Sequence, residues 1–103
     1  MATVYDKLVR DRIPEIMRAK GKTFRTRVLT PDELEPYATK KLQEELDEFK
    51  ESRAIEELAD LLEVAYAIAS ARGVPPEELE RIRAEKARER GGFDQRLLLI
   101  DVD

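Results

Sequence analysis

Residues Lys41 to Ala71 read KLQEELDEFKESRAIEELADLLEVAYAIASA, and the way this stretch divides decides the fold. It parts at Ser52 and Arg53 into two helical patterns, each opening on acids: Glu44-Glu45-Leu46-Asp47-Glu48, then Glu56-Glu57-Leu58-Ala59-Asp60. A helical residue turns the chain by about 100°, so carboxylates three apart, Glu45/Glu48 and Glu57/Asp60, share a face. If the two helices pack antiparallel, four carboxylates meet across one groove. Such a cluster repels itself unless a cation joins it. An all-oxygen ligand set suits Mg²⁺ or Mn²⁺ and argues against zinc or copper.

The helical wheel places these acids. On the first helix Leu42, Leu46 and Phe49 define the buried stripe, with Glu45 at its edge and Glu48 one step further round. On the second, Leu58, Leu61, Leu62, Ala65 and Ala69 mark the expected core, while Glu57 lies in line with Val64 and Ile68, and Asp60 near Val64 and Ala67. A carboxylate set into an apolar stripe is costly unless it is paired or metal-bound. Glu44, Asp47, Glu51, Glu56 and Glu63 fall on polar faces and read as solvated. The plain alternative is that all these acids decorate amphipathic helices, paired with Lys and Arg at helical spacing.

Working outward, Thr30-Pro31-Asp32-Glu33 starts the first acidic helix with a Thr cap, a proline in the first turn and a capping-box Glu, and the helix runs to about Glu51, loosened near Pro36. The second runs from about Ala54 to Arg72 and stops at Gly73. A third long helix opens at Val74-Pro75-Pro76-Glu77-Glu78, reaches Arg90 and ends at Gly91-Gly92. Its inward stripe begins with Leu79 and Ile82 and continues with Lys86 and Arg90. Those two cations either complement the helix dipole or lean over the acidic groove to bind phosphates. Before the acidic helices, Met1 to Tyr5 reads as extended and Ile13 to Arg18 as a short helix, with Pro14 in its first turn and Gly21 past its end. Lys7, Arg10 and Arg12 are in reach of a phosphate, but the spacing favours surface pairs with Asp6, Asp11 and Glu15. Thr23 to Leu29 and Arg96 to Val102 are β-prone and are expected to pair into a small peripheral ribbon.

The chain has 103 residues, 41% of them charged, with a net charge of −4 and neither cysteine nor histidine. That length fits one domain, 1–103. The missing histidine excludes Ser-His-Asp triads, His-based acid–base catalysis and His-ligated metals. The missing cysteine excludes a disulfide scaffold and a thiol nucleophile, and a cytoplasmic location is the simplest expectation. The negative balance argues against a nucleic-acid partner. No stretch is apolar enough to span a membrane, and MATVYDKLVRD lacks a signal-peptide core. From Leu61 to Ala71 the second acidic helix is apolar over most of its circumference, which a monomer this small cannot cover, so a homo-oligomer is expected.

Four segments, Tyr5-Asp6-Lys7-Leu8-Val9-Arg10-Asp11-Arg12-Ile13-Pro14-Glu15-Ile16, Lys41-Leu42-Gln43-Glu44-Glu45-Leu46, Glu56-Glu57-Leu58-Ala59-Asp60 and Arg90-Gly91-Gly92-Phe93, come in an order that resembles the MazG-like nucleotide pyrophosphohydrolases. More narrowly the chain resembles their small stand-alone branch, described as phosphoribosyl-ATP pyrophosphohydrolase-like, and the similarity spans nearly its whole length. The resemblance implies an all-α fold, an antiparallel bundle of about four helices, dimeric or tetrameric. It also implies an ExxE…ExxD metal site of Glu45, Glu48, Glu57 and Asp60, with Glu44 as the preceding acid. Members cleave the α–β phosphoanhydride of nucleoside triphosphates to a monophosphate and pyrophosphate with Mg²⁺, and basic residues near the end of the third helix contact the phosphates. That favours Lys86 and Arg90 here. Two departures stand out: the spacer between the acidic pairs is shorter than is typical, and Asp6 stands where this branch often has Asn.

The expected function is therefore a Mg²⁺-dependent nucleotide pyrophosphohydrolase, serving nucleotide-pool house-cleaning by family analogy. Glu45 or Glu48 would orient and deprotonate the attacking water, since without histidine a carboxylate or the metal must supply the base. Lys86, Arg90, Lys7 and Arg10 are the candidate phosphate contacts. Two alternatives stand beside it: a non-catalytic helical oligomerisation or ligand-binding module, and a phosphoribosyl-ATP pyrophosphohydrolase proper.

Overall fold

The computed structural model describes residues 3–103 and contains four helices: α1 (Ile13–Ala19), α2 (Pro31–Ser52), α3 (Ile55–Ala71) and α4 (Pro76–Arg90). Of the extended run expected over Met1–Tyr5, Met1 and Ala2 lie outside the described residues, and Thr3–Tyr5 carry no regular structure. The helix starts follow local chemistry. At the head of α2 the Thr30 hydroxyl accepts from the Glu33 N–H at 3.3 Å, and the Glu33 carboxylate accepts from the Thr30 N–H at 2.9 Å, closing the capping box. Arg27 adds a fork to the same carboxylate at 2.9 and 2.8 Å. Thr30→Ala is expected to cost about 1 kcal/mol in urea denaturation; no measurable loss would mean that the Arg27–Glu33 fork holds this end alone. The helix runs on through Pro36 in its second turn, at the loss of the one backbone bond that this residue would have made to the Asp32 carbonyl.

α2 and α3 form an antiparallel hairpin around a two-residue connector. Arg53 adopts the left-handed conformation (φ 62) and donates its N–H to the Phe49 carbonyl at 2.8 Å, while the Ser52 hydroxyl accepts from the Ala54 N–H at 3.2 Å. An ion pair between Glu35 and Arg72 ties the far end. The hairpin seam contains Ala38 and Glu45 from α2 and Val64 from α3, the three buried side chains among the described residues.

That seam corrects the expected core. Leu46, Leu58 and Leu62 remain 41, 41 and 49% exposed. Leu61 does face α2 as expected, but Val64 and Ile68 join it there in place of Leu58 and Leu62, and Leu61 and Ile68 each share a groove with Leu42. α3 is apolar nearly all round, so its wheel alone did not fix which line faces inward; the line that carries Glu57 does.

α4 packs against α3, where Leu79 and Ile82 meet Ala65, Ile68 and Ala69 beside Val74. α1 packs against none of the other helices, so the bundle proper has three helices rather than four. Nor does the expected ribbon form: residues 22–30 and 96–103 are irregular, and no strand exists among the described residues. A ladder needs a partner, and within this chain neither segment meets one. The result is an elongated molecule, 58 × 32 × 26 Å with a radius of gyration of 17.7 Å, against about 13 Å for a close-packed chain of this length. No described helix is long and apolar enough to cross a membrane.

Candidate metal centre

The hairpin register decides the centre. Glu45 on α2 faces the first turns of α3, and one carboxylate oxygen from each of Glu45, Glu57 and Asp60 falls within 4.8 Å of the others. Glu45 is 6% exposed, and its Oε2 is buried with no hydrogen-bond partner. A buried carboxylate oxygen without a partner is a costly arrangement. It suits a hard cation, and the donor set, all oxygen, fits Mg²⁺ or Mn²⁺.

Charge crowds around this triad. Burial pushes the Glu45 carboxyl above its ordinary value, reinforced by a shared hydrogen bond and repulsion from Glu48, while Lys41 acts against the shift. The Glu57 carboxyl is raised as well, first by partial burial, then by Glu48 and Asp60, with the Ser52 hydroxyl opposing. Glu48 therefore lies near enough to raise both triad glutamates, although it stays outside the triad and solvent-exposed.

Two of the expected cations reach the site or its rim in ways the spacing did not show. Lys7 binds Glu44 at 2.8 Å and Arg10 binds Asp60 at 2.7 Å, rather than the neighbouring Asp6 and Asp11. Only Arg12 takes its local partner, Glu15, at 3.0 Å. Residues 7–10 thus cross from one acidic helix to the other. Glu44, read from the wheel as solvated, is half-buried, with one oxygen on Lys7 and the other 3.3 Å from Lys41. The Lys7 bond holds its carboxyl below the usual value. Lys41, which sequence reasoning missed, also approaches Glu45 at 3.5 Å; its i,i+4 spacing to that acid was the available signal. Lys86 and Arg90 are exposed on α4, and no hydrogen bond or ion pair among the described residues links either to the acids.

These shifts carry a stability consequence. Glu45 and Glu57 bind protons more tightly in the fold than in the unfolded chain, so their contribution is full below the ordinary value of 4.5 and is lost as pH rises through the raised values. Glu33, drawn down to about 2 by Arg27, and Glu44 run the other way and contribute fully above 4.5. The metal-free melting temperature is therefore expected to fall as pH climbs from about 4.5 toward neutrality, and Mg²⁺ should remove that fall. Melts in chelator and in Mg²⁺ across this range check it; a flat profile in chelator would mean that the acids are relaxed as they stand.

A family model described as phosphoribosyl-ATP pyrophosphohydrolase matches residues 11–87. The chain belongs to that family. The phosphoribosyl-ATP pyrophosphohydrolase family is part of the all-α NTP pyrophosphatase superfamily, and membership makes the protein a pyrophosphohydrolase acting on phosphoanhydride bonds. The matched span holds the triad, Glu48 and Lys86, but begins after Lys7 and Arg10 and ends before Arg90. No curated protein and no solved structure matches the chain.

Proposed function

We propose that the protein is a Mg²⁺-dependent nucleoside triphosphate pyrophosphohydrolase, converting an NTP or dNTP and water to the monophosphate and pyrophosphate. One observation carries this reading: the buried Glu45 carboxylate, whose Oε2 has no hydrogen-bond partner, clusters with those of Glu57 and Asp60. A merely adhesive acidic surface has no use for a carboxylate buried in a helix seam.

Glu45, Glu57 and Asp60 would hold the ion, which when bound supplies positive charge against the triphosphate and the departing pyrophosphate. Glu48 is exposed beside the triad and is suited to orient a water and take its proton as the oxygen attacks the α-phosphorus. Breaking the α–β bridge then releases pyrophosphate with its added charge. With Asp60 holding an ion, Arg10 would be free to turn to a phosphate oxygen, and Lys7, Lys86 and Arg90 would complete the phosphate clamp. The outward leucines Leu46, Leu58 and Leu62 support a homo-oligomer, and clearing non-standard nucleotides fits this chemistry.

A second reading, hydrolysis of phosphoribosyl-ATP itself, is favoured by the family match and breaks the same kind of bond. A panel of canonical, deoxy and modified triphosphates plus phosphoribosyl-ATP, with Mg²⁺ and products resolved by phosphorus NMR, separates the two. Monophosphate and pyrophosphate from the triphosphates are expected. Turnover of phosphoribosyl-ATP alone would move the assignment to the second reading, diphosphate and orthophosphate would overturn the bond assignment, and no turnover by folded protein would leave a binding module.

A further inference from the structure

We propose that two copies of this chain exchange strands, residues 97–102 of each pairing with residues 23–29 of the other. The C-terminal segment Leu97-Leu98-Leu99-Ile100-Asp101-Val102 holds five large apolar side chains, each 79 to 85% exposed. Isolated exposed leucines are ordinary, but a contiguous run of this kind marks a surface meant to be covered. Four consecutive apolar residues put hydrophobic side chains on both faces of an extended chain, the pattern of a strand covered on both sides.

The backbone says the same. Beyond the turn in which the Arg96 N–H reaches the Phe93 carbonyl, the tail makes no backbone hydrogen bond among the described residues. Between Lys22, whose N–H is held by the Met17 carbonyl, and Thr30 at the cap of α2, residues 23–29 make none either, and Val28 is 95% exposed. Each is a β-prone segment with an open edge, ready to accept a strand.

Charge selects the partner. The tail carries Asp101 and Asp103, while the other segment carries Lys22, Arg25 and Arg27. Residues 97–103 hold only acids and residues 22–29 only cations, so tail against 22–29 is the pairing that brings segments of opposite charge together. One chain does not make that pairing. It also leaves the molecule extended, with Ala38 and Val64 its only buried apolar side chains among the described residues. A second copy supplies the missing edge, and two-fold symmetry makes the exchange reciprocal.

Charge reversal with rescue tests this on the full chain. Lys22→Glu with Arg25→Glu forms one variant, and Asp101→Lys with Asp103→Lys the other; none of these residues touches the acidic centre. The dimer dissociation constant of each variant alone, by sedimentation, is expected to rise about tenfold or more. An equimolar mixture should regain wild-type affinity as a one-to-one heterodimer in native mass spectrometry, because both of its strand pairs are then complementary. A monomeric wild type would overturn the proposal, as would variants that keep wild-type affinity. So would variants that dissociate without rescue on mixing, which would place the pairing within one chain or with a different protein. Circular dichroism of each variant checks that the helices persist.

Discussion

Glu45→Gln is expected to lower triphosphate turnover by about 10²–10⁴-fold, because the charge stabilisation an ion held there supplies is worth several kcal/mol, and at the same time to raise the melting temperature of the metal-free protein near neutral pH. Both effects come from one atom pair. The amide fills the same buried space, so the hairpin seam keeps its packing, but it removes a negative charge that burial and Glu48 already disfavour. It also removes the anionic ligand whose second oxygen has no partner in the chain. Turnover with saturating Mg²⁺, together with melts in chelator, gives both readouts, and Glu63→Gln on an exposed face of α3 serves as the control. Retained activity would reduce Glu45 to a structural acid; lost activity with a lowered melting temperature would point to damaged packing.

The second large effect is expected at Arg10. Its guanidinium lies 2.7 Å from Asp60 and competes with any cation for that carboxylate. The pair is exposed, so its removal is worth at most about 1 kcal/mol, and Arg10→Gln should bind Mn²⁺ roughly two- to fivefold tighter. Substrate should move the other way. Loss of a charge-assisted bond to phosphate costs about 1.5–3 kcal/mol, so KM for a triphosphate should rise about tenfold or more. Metal titration by calorimetry and steady-state kinetics measure the two separately. If neither constant moved, Arg10 would do no more than staple the N-terminal segment to α3.

How much of this was legible in the sequence depended on how far apart the deciding partners lie. The caps of α2, from Thr30 and Glu33, are three residues apart, and both acidic pairs are three apart on one helix; each was readable because its physics is local. The outward turn of Leu58 and Leu62 was not, because an almost wholly apolar helix offers no wheel signal until its neighbour is known. The links from Lys7 to Glu44 and from Arg10 to Asp60 span 37 and 50 residues, and no spacing rule reaches so far. The two β-prone segments were recognised by composition, but a strand also requires an edge, and the chain alone does not bring one to them.

The two-residue connector at Arg53 and Ala54 has a consequence for the order of folding. Because the chain reverses so tightly there, Glu45, Glu48, Glu57 and Asp60 all sit within sixteen consecutive residues, 45–60. Closing so short a loop costs little entropy, and contacts that are near in sequence form early. The carboxylates therefore meet as soon as the first turns of the hairpin zip together, before α4 docks. An ion captured at that stage would act as a template for the fold as well as a participant in the chemistry.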